Sequence, residues 1–134
     1  MEPGTSSDKR RRALIVEDDA FQREVLQALM AQSGWRDVVA CEGGPQALQA
    51  VARLGGAAFD LALVDLHMPG MDGFQFMAQL DAAGYRGAVI IVSGQSSAVL
   101  HSASLVAQLR RFRLLGTVAK PVEKAALDAL LAAL

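Results

Sequence analysis

Leu61-Ala62-Leu63-Val64-Asp65-Leu66-His67-Met68-Pro69-Gly70-Met71-Asp72-Gly73 decides how this chain is read. Its opening apolar residues read as a strand buried on both faces, and the run stops at a lone carboxylate. Burying a carboxylate is costly, yet the C-terminal edge of a parallel sheet is where open α/β folds place their ligands. Asp65 is therefore read as a working residue.

Three more polar signals fall at the ends of apolar runs. Glu17-Asp18-Asp19 follows Ala13-Leu14-Ile15-Val16, Ser93 follows Ala88-Val89-Ile90-Ile91-Val92, and Lys120-Pro121 follows Leu114-Leu115-Gly116-Thr117-Val118-Ala119. In a parallel sheet these ends share one edge. An acidic cluster, a lone Asp, a hydroxyl and a Lys then meet in one crevice, the equipment of a magnesium-assisted phosphoryl transfer. Adjacent acids repel unless a cation lies between them, and a hard divalent ion held by oxygens answers that need. Helix capping accounts for one acid, not for three in a row.

At 134 residues the chain is expected to form one domain that needs neither disulfide nor structural metal. An apolar fraction of 52% and a net charge of -1 exclude disorder for the bulk of it and argue against a nucleic-acid surface. Lys9-Arg10-Arg11-Arg12 is the only clustered positive charge, and it reads as a solvated lead-in at the end of a flexible tail, residues 1–11. Cys41 is the sole cysteine, so no internal disulfide forms. In the short strand Asp37-Val38-Val39-Ala40-Cys41 it reads as a small buried thiol. A polar N-terminus and the lack of any membrane-length apolar stretch lead us to expect a cytoplasmic protein with no membrane contact.

Strand-like and helix-like segments alternate five times. Ala20 to Ser33 carries Phe21, Val25 and Leu29 at four-residue spacing, with Leu26 and Met30 beside them, capped by Asp19 and ended by Gly34. Gly44-Pro45 opens a second helix that Gly55-Gly56 closes. Phe74, Met77, Ala78 and Leu80 mark a third, ending at Gly84. Val99, Ala103, Val106, Leu109 or Arg110, and Phe112 mark a fourth. A fifth begins near Pro121 and shows Leu127, Leu130, Leu131 and Leu134. Trp35, after Gly34, is expected to pack at a helix–strand corner. Alternating βα units predict a doubly wound parallel sheet with helices on both faces, and five of them with this chemistry fit the flavodoxin-like (βα)5 order 2-1-3-4-5.

With four separated motifs in this order, residues 12 to 134 resemble the receiver domain of bacterial two-component response regulators. The resemblance implies that Asp65 is the phospho-acceptor, attacking phosphorus in line to give an acyl phosphate. It makes Asp18 a direct Mg2+ ligand, with Glu17 assisting through water and the backbone carbonyl of His67 completing the protein ligands. The His67 imidazole either faces the phosphoryl group or stands as a solvent-exposed bystander. Ser93 matches the switch hydroxyl and Lys120 the cation on a phosphoryl oxygen. Pro121 completes the family's Lys-Pro pair, whose peptide bond is usually cis. The implied donor is a sensor histidine kinase or phosphotransfer protein. The implied readout is the surface of the fourth helix and fifth strand, acting on a partner or a linked output. Such a domain catalyses only its own phosphorylation and dephosphorylation and is not an enzyme of metabolism.

Two departures stand out. Receivers commonly carry Tyr or Phe three residues before the Lys, where this chain has Thr117, so the usual inward swing of a ring is lost. The interval from Ser93 to Lys120 is 120 − 93 = 27 residues, longer than in most receivers. With the Leu114-to-Val122 ending, this resembles receivers attached to cyclic-di-GMP phosphodiesterase modules. The expected route for the signal is then the Gly94-Gln95-Ser96-Ser97 loop and the start of the fourth helix. Two other classes share parts of the pattern. A haloacid-dehalogenase-like phosphatase wants a second acid two residues after its nucleophile, where this chain has His67. A flavodoxin-like cofactor module wants a Ser/Thr/Gly phosphate loop after strand 1, where three acids would repel phosphate.

Overall fold

A computed structural model of the chain describes residues 11–68, 70–94 and 110–134. The strands are β1 (Arg12–Val16), β2 (Asp37–Cys41), β3 (Leu61–Asp65), β4 (Ala88–Ser93) and β5 (Arg113–Ala119). They pair in parallel throughout, in the order β2-β1-β3-β4-β5. This is the flavodoxin-like order expected from the alternation. The most apolar runs take the central positions: β3 and β4 are buried along their whole length, while β2 and β5 at the edges are mostly half-buried.

Alternate residues of each central strand face opposite layers. Leu14, Val16, Ala62, Val64, Val89 and Ile91 pack under helices α2 (Gly44–Leu54) and α3 (Gly73–Ala82), through Ala47, Val51, Phe76, Met77 and Leu80. Ala13, Ile15, Leu61, Leu63, Ile90 and Val92 pack under α1 (Ala20–Gln32) and α4 (Lys124–Leu131), through Leu26, Met30 and Leu127. Trp35 is buried in this second layer, at the expected corner between α1 and β2. Cys41 is buried at the end of β2. No helix among the described residues is long and apolar enough to cross a membrane.

Several boundaries differ from the sequence expectation. Phe21, placed on the apolar stripe of α1, is 70% exposed, and the buried face runs instead through Leu26 and Met30. Phe21 lies in the first turn, past the strand end, where the described residues offer no layer to cover it. Phe112, placed on the fourth helix, lies in the bend before β5 and is buried against Tyr85, ring centroids 6.3 Å apart. The rest of that helix, with Val99, Ala103, Val106 and Leu109, and most of the Gly94-to-Ser97 loop, lie outside the described residues. The last helix starts at Lys124, three residues after Pro121. Arg11 and Arg12 are more than a lead-in: Arg11 stacks over Trp35, and Arg12 pairs with Asp37 at 2.8 Å.

The loop after β3 is held by two local devices. Asp72 and Gln75 form a capping box at the start of α3, the Asp72 carboxylate accepting the Gln75 N–H at 2.9 Å and the Gln75 side chain accepting the Asp72 N–H at 3.2 Å. Gly73 sits so close to the strand end that a Cβ there would stand 2.7 Å from Leu66 Cα and 3.0 Å from the Asp65 carbonyl oxygen. These are backbone atoms that yield only if the strand end moves. Gly73→Ala should therefore cost about 1–3 kcal/mol, read as a lower urea midpoint at unchanged slope. A loss below about 0.5 kcal/mol, the range of ordinary surface substitutions, would show that the loop gives way freely.

Candidate functional site

Register brings the polar strand ends together. Val16 pairs with Val64, so Glu17 and Asp65 leave adjacent strands side by side. Ser93 pairs with Ala119, and the Ser93 carbonyl accepts the Lys120 N–H at 3.1 Å. A bulge lets Leu114 face Val89 while Gly116 faces Ile90, so β5 carries one extra residue, Leu115, and reaches the edge with Lys120 beside Ser93. The Lys120–Pro121 peptide bond is cis, as the resemblance implied.

Glu17 is fully buried and Asp65 is 2% exposed, whereas Asp18 is exposed. Lys120 Nζ lies 2.7 Å from Glu17 Oε1 and 3.3 Å from Asp65 Oδ2. The first contact is an ion pair without the alignment of a directed hydrogen bond. The second oxygen of each carboxylate faces a backbone amide: the Asp19 N–H donates to Glu17 Oε2 at 3.1 Å, and the His67 N–H donates to Asp65 Oδ1 at 3.2 Å. Each acid is thus held between an ammonium and an amide. Arg23 of α1 donates from Nη1 to the carbonyls of Glu17 at 2.9 Å and Asp18 at 3.4 Å.

Burial pushes the Glu17 carboxyl up from 4.5 to about 7, and the nearby Asp65 charge adds to the rise. The Lys120 ammonium and the Asp19 amide pull the other way without cancelling it. For Lys120, burial works against the charge, yet Glu17 and Asp65 together hold its pKa above the ordinary 10.5.

Carboxylate oxygens of Glu17, Asp18 and Asp65 all lie within 4.8 Å of one another. A hard cation with metal–oxygen distances of about 2.1–2.6 Å can span such a set, directly or through water. Charge favours it as well. Three ionised carboxylates and one ammonium sum to -2, which a divalent cation brings to neutrality. The donor set is all oxygen, the chemistry of magnesium or calcium and not of a thiolate metal.

The sequence also matches a family model, the response regulator receiver domain, over residues 13–132. The chain belongs to that family. Among curated relatives, the receiver is 33% identical over 125 residues to the two-component response regulator ORR41 of Oryza sativa subsp. japonica, spanning 92% of this chain and 94% of that one. It is 40% identical over 76 residues, 57% of its length, to the sensor histidine kinase AruS of Pseudomonas aeruginosa, of which this covers 7%. Across several curated relatives the receiver spans only 7% to 21% of their length. A solved receiver domain from Methylobacillus flagellatus superposes with a TM-score of 0.75 at 26% identity, covering 92% of this chain and 97% of that one. The protein is thus a phospho-accepting signalling domain of the two-component type.

All the strand-end residues singled out in the sequence reach this edge. Glu17, Asp18, Asp65 and Lys120 form one cluster, and Ser93 is buried next to the Lys120 backbone. His67 is exposed and meets Asp65 through its amide. Asp19 points outward and caps α1, accepting the Gln22 N–H at 3.0 Å. The sequence reading missed Arg23. Its signal was a cation in the fourth position of a helix, where the macrodipole disfavours positive charge.

The raised Glu17 value sets a pH dependence. The folded state holds this proton more tightly than the unfolded chain, so its contribution to stability is fully present below 4.5 and is lost as pH rises through 7. In chelator, wild type should lose urea resistance relative to Glu17→Gln between about pH 5 and pH 8. Parallel profiles for the two proteins would refute the assignment.

Proposed function

We propose that Asp65 accepts a phosphoryl group from a histidine kinase or phosphotransfer protein, in a Mg2+-dependent reaction. The observation that carries this reading is the Asp65 carboxylate itself, buried at a strand end with one oxygen 3.3 Å from an ammonium and the other bound to an amide. In the transfer, an Asp65 oxygen forms its bond to phosphorus as the phosphorus–nitrogen bond of the donor phosphohistidine breaks, the electron pair leaving with the imidazole. A carboxylate is a weak nucleophile, but a loose transition state asks for placement and charge neutralisation above nucleophilic strength.

Glu17, Asp18 and Asp65, with the His67 carbonyl, would hold the magnesium ion. When bound, it supplies positive charge for the phosphoryl oxygens. Lys120 already touches both buried acids and supplies the second positive charge, moving from Glu17 and Asp65 to a phosphoryl oxygen. Ser93 donates its hydroxyl to another. In this reading residues 12–134 are the receiver and 1–11 a leading tail. The protein works in the cytoplasm without contacting nucleic acid or membrane, and it turns over no metabolite. It signals through a partner or a linked output domain. Thr117 is half-buried and offers no aromatic ring of the kind the resemblance to receivers leads one to expect there, so the signal leaves by the segment after Ser93.

Acetyl phosphate with magnesium should label the wild type with a base-labile phosphoryl group, and both Asp65→Asn and chelation should remove the label. Persistent labelling of Asp65→Asn would sink the acceptor assignment. Asp18→Ala should lose most magnesium affinity while keeping its fold, and slightly gain stability without metal as like charges separate. Unchanged magnesium binding in that variant, measured by calorimetric titration, would remove Asp18 from the ligand set.

A further inference from the structure

Arg23 is a costly residue for its place. It lies in the first turns of α1, beside the positive end of the helix dipole, and near a crevice proposed to take a divalent cation. Both effects disfavour a guanidinium there. Its side chain nevertheless reaches back past the cap and donates from one nitrogen to two successive carbonyls, Glu17 at 2.9 Å and Asp18 at 3.4 Å.

Those two carbonyls lie beyond Val16, the last residue of β1 in register with its neighbours. Past that point the Glu17 N–H still bonds to the Cys41 carbonyl at the end of β2, at 3.0 Å, but that N–H belongs to the peptide unit before these two. The two units themselves are oriented by the Asp19 N–H on Glu17 Oε2 and by Arg23 Nη1 on both carbonyls. The two residues differ in exposure, Glu17 buried and Asp18 exposed, yet their carboxylate oxygens lie within 4.8 Å of one another. For both to offer oxygens to one ion, the intervening peptide must hold a single orientation.

We propose that Arg23 is a positioning residue for the cation site: by pinning the carbonyls of Glu17 and Asp18 it sets the separation of their carboxylates. This rests on the reading that those acids bind Mg2+. The proposal gives a sign opposite to that of simple electrostatics. Removing a positive charge near a cation site should tighten metal binding, whereas losing an outer hydrogen-bonding partner of the ligands typically weakens it about 10–100-fold.

Magnesium affinity should be measured by calorimetric titration at fixed ionic strength and mildly alkaline pH, for wild type, Arg23→Ala, Arg23→Lys and Asp18→Ala. Urea midpoints in chelator would be measured in parallel. We expect Arg23→Ala to bind Mg2+ about tenfold or more weakly than wild type, with Arg23→Lys in between because it keeps the charge and can reach one carbonyl. The metal-free urea midpoint should fall far less than this change in affinity implies. Should Arg23→Ala fail to fold, Arg23→Lys carries the test, with weakened binding expected. Affinity equal to or tighter than wild type in Arg23→Ala, or unchanged in Arg23→Lys, overturns the proposal. If wild type itself binds no Mg2+, or Asp18→Ala binds as well as wild type, the failure lies with the cation-site reading instead.

Discussion

Two carboxylates buried at neighbouring strand ends repel each other, and the rest of this structure is arranged around holding them. Glu17 and Asp65 are almost wholly withdrawn from water, which raises the energy of their charged forms and strengthens their mutual repulsion. Against this stand one ammonium and two backbone amides. The acidic charge exceeds the basic charge in the crevice once Asp18 is counted, so the site is electrostatically incomplete by itself. A bound cation or a retained proton on Glu17 relieves it, which ties the site's chemistry to what it binds.

The sheet is what makes the arrangement possible. β1 and β3 are adjacent, so their first polar residues lie side by side, while Lys120 arrives from β5, separated from β3 by the whole of β4. Its long side chain reaches both acids nonetheless. The bulge at Leu115 belongs to the same geometry, because it sets how far along the edge β5 ends. On the other flank, the Asp72–Gln75 capping box and the close approach of Gly73 to Leu66 fix the loop that leaves Asp65. Nearly every device near the crevice governs where a backbone segment leaves the sheet.

Similarity to receivers extends over nearly the whole chain, and the departures are local. Thr117 is half-buried on the edge strand β5, where a small β-branched residue suits the strand. The exposed Phe21 also lies close to the crevice in sequence, two residues after the acidic run. Helical periodicity assigned it to the core because spacing reports a face of the helix, not how far the layer beneath that face extends. Phe112 misled for a related reason: an apolar residue at helical spacing fits a stripe even after the chain has turned toward the next strand.

The sequence by itself determined the alternation of strands and helices, the sheet order, and which strand ends carry chemistry. Strands buried on both faces must be continuously apolar, so the first polar residue after each run marks the edge where ligands bind. Only the tertiary structure decided which oxygen faces the ammonium, that the His67 amide bonds to Asp65 while its side chain is exposed, and that Arg23 holds two carbonyls. A lone arginine on an amphipathic helix looks like any solvated side chain. Its bonds depend on register and on the angle at which α1 leaves β1, and these are set by contacts summed over the whole sheet, which local sequence does not encode.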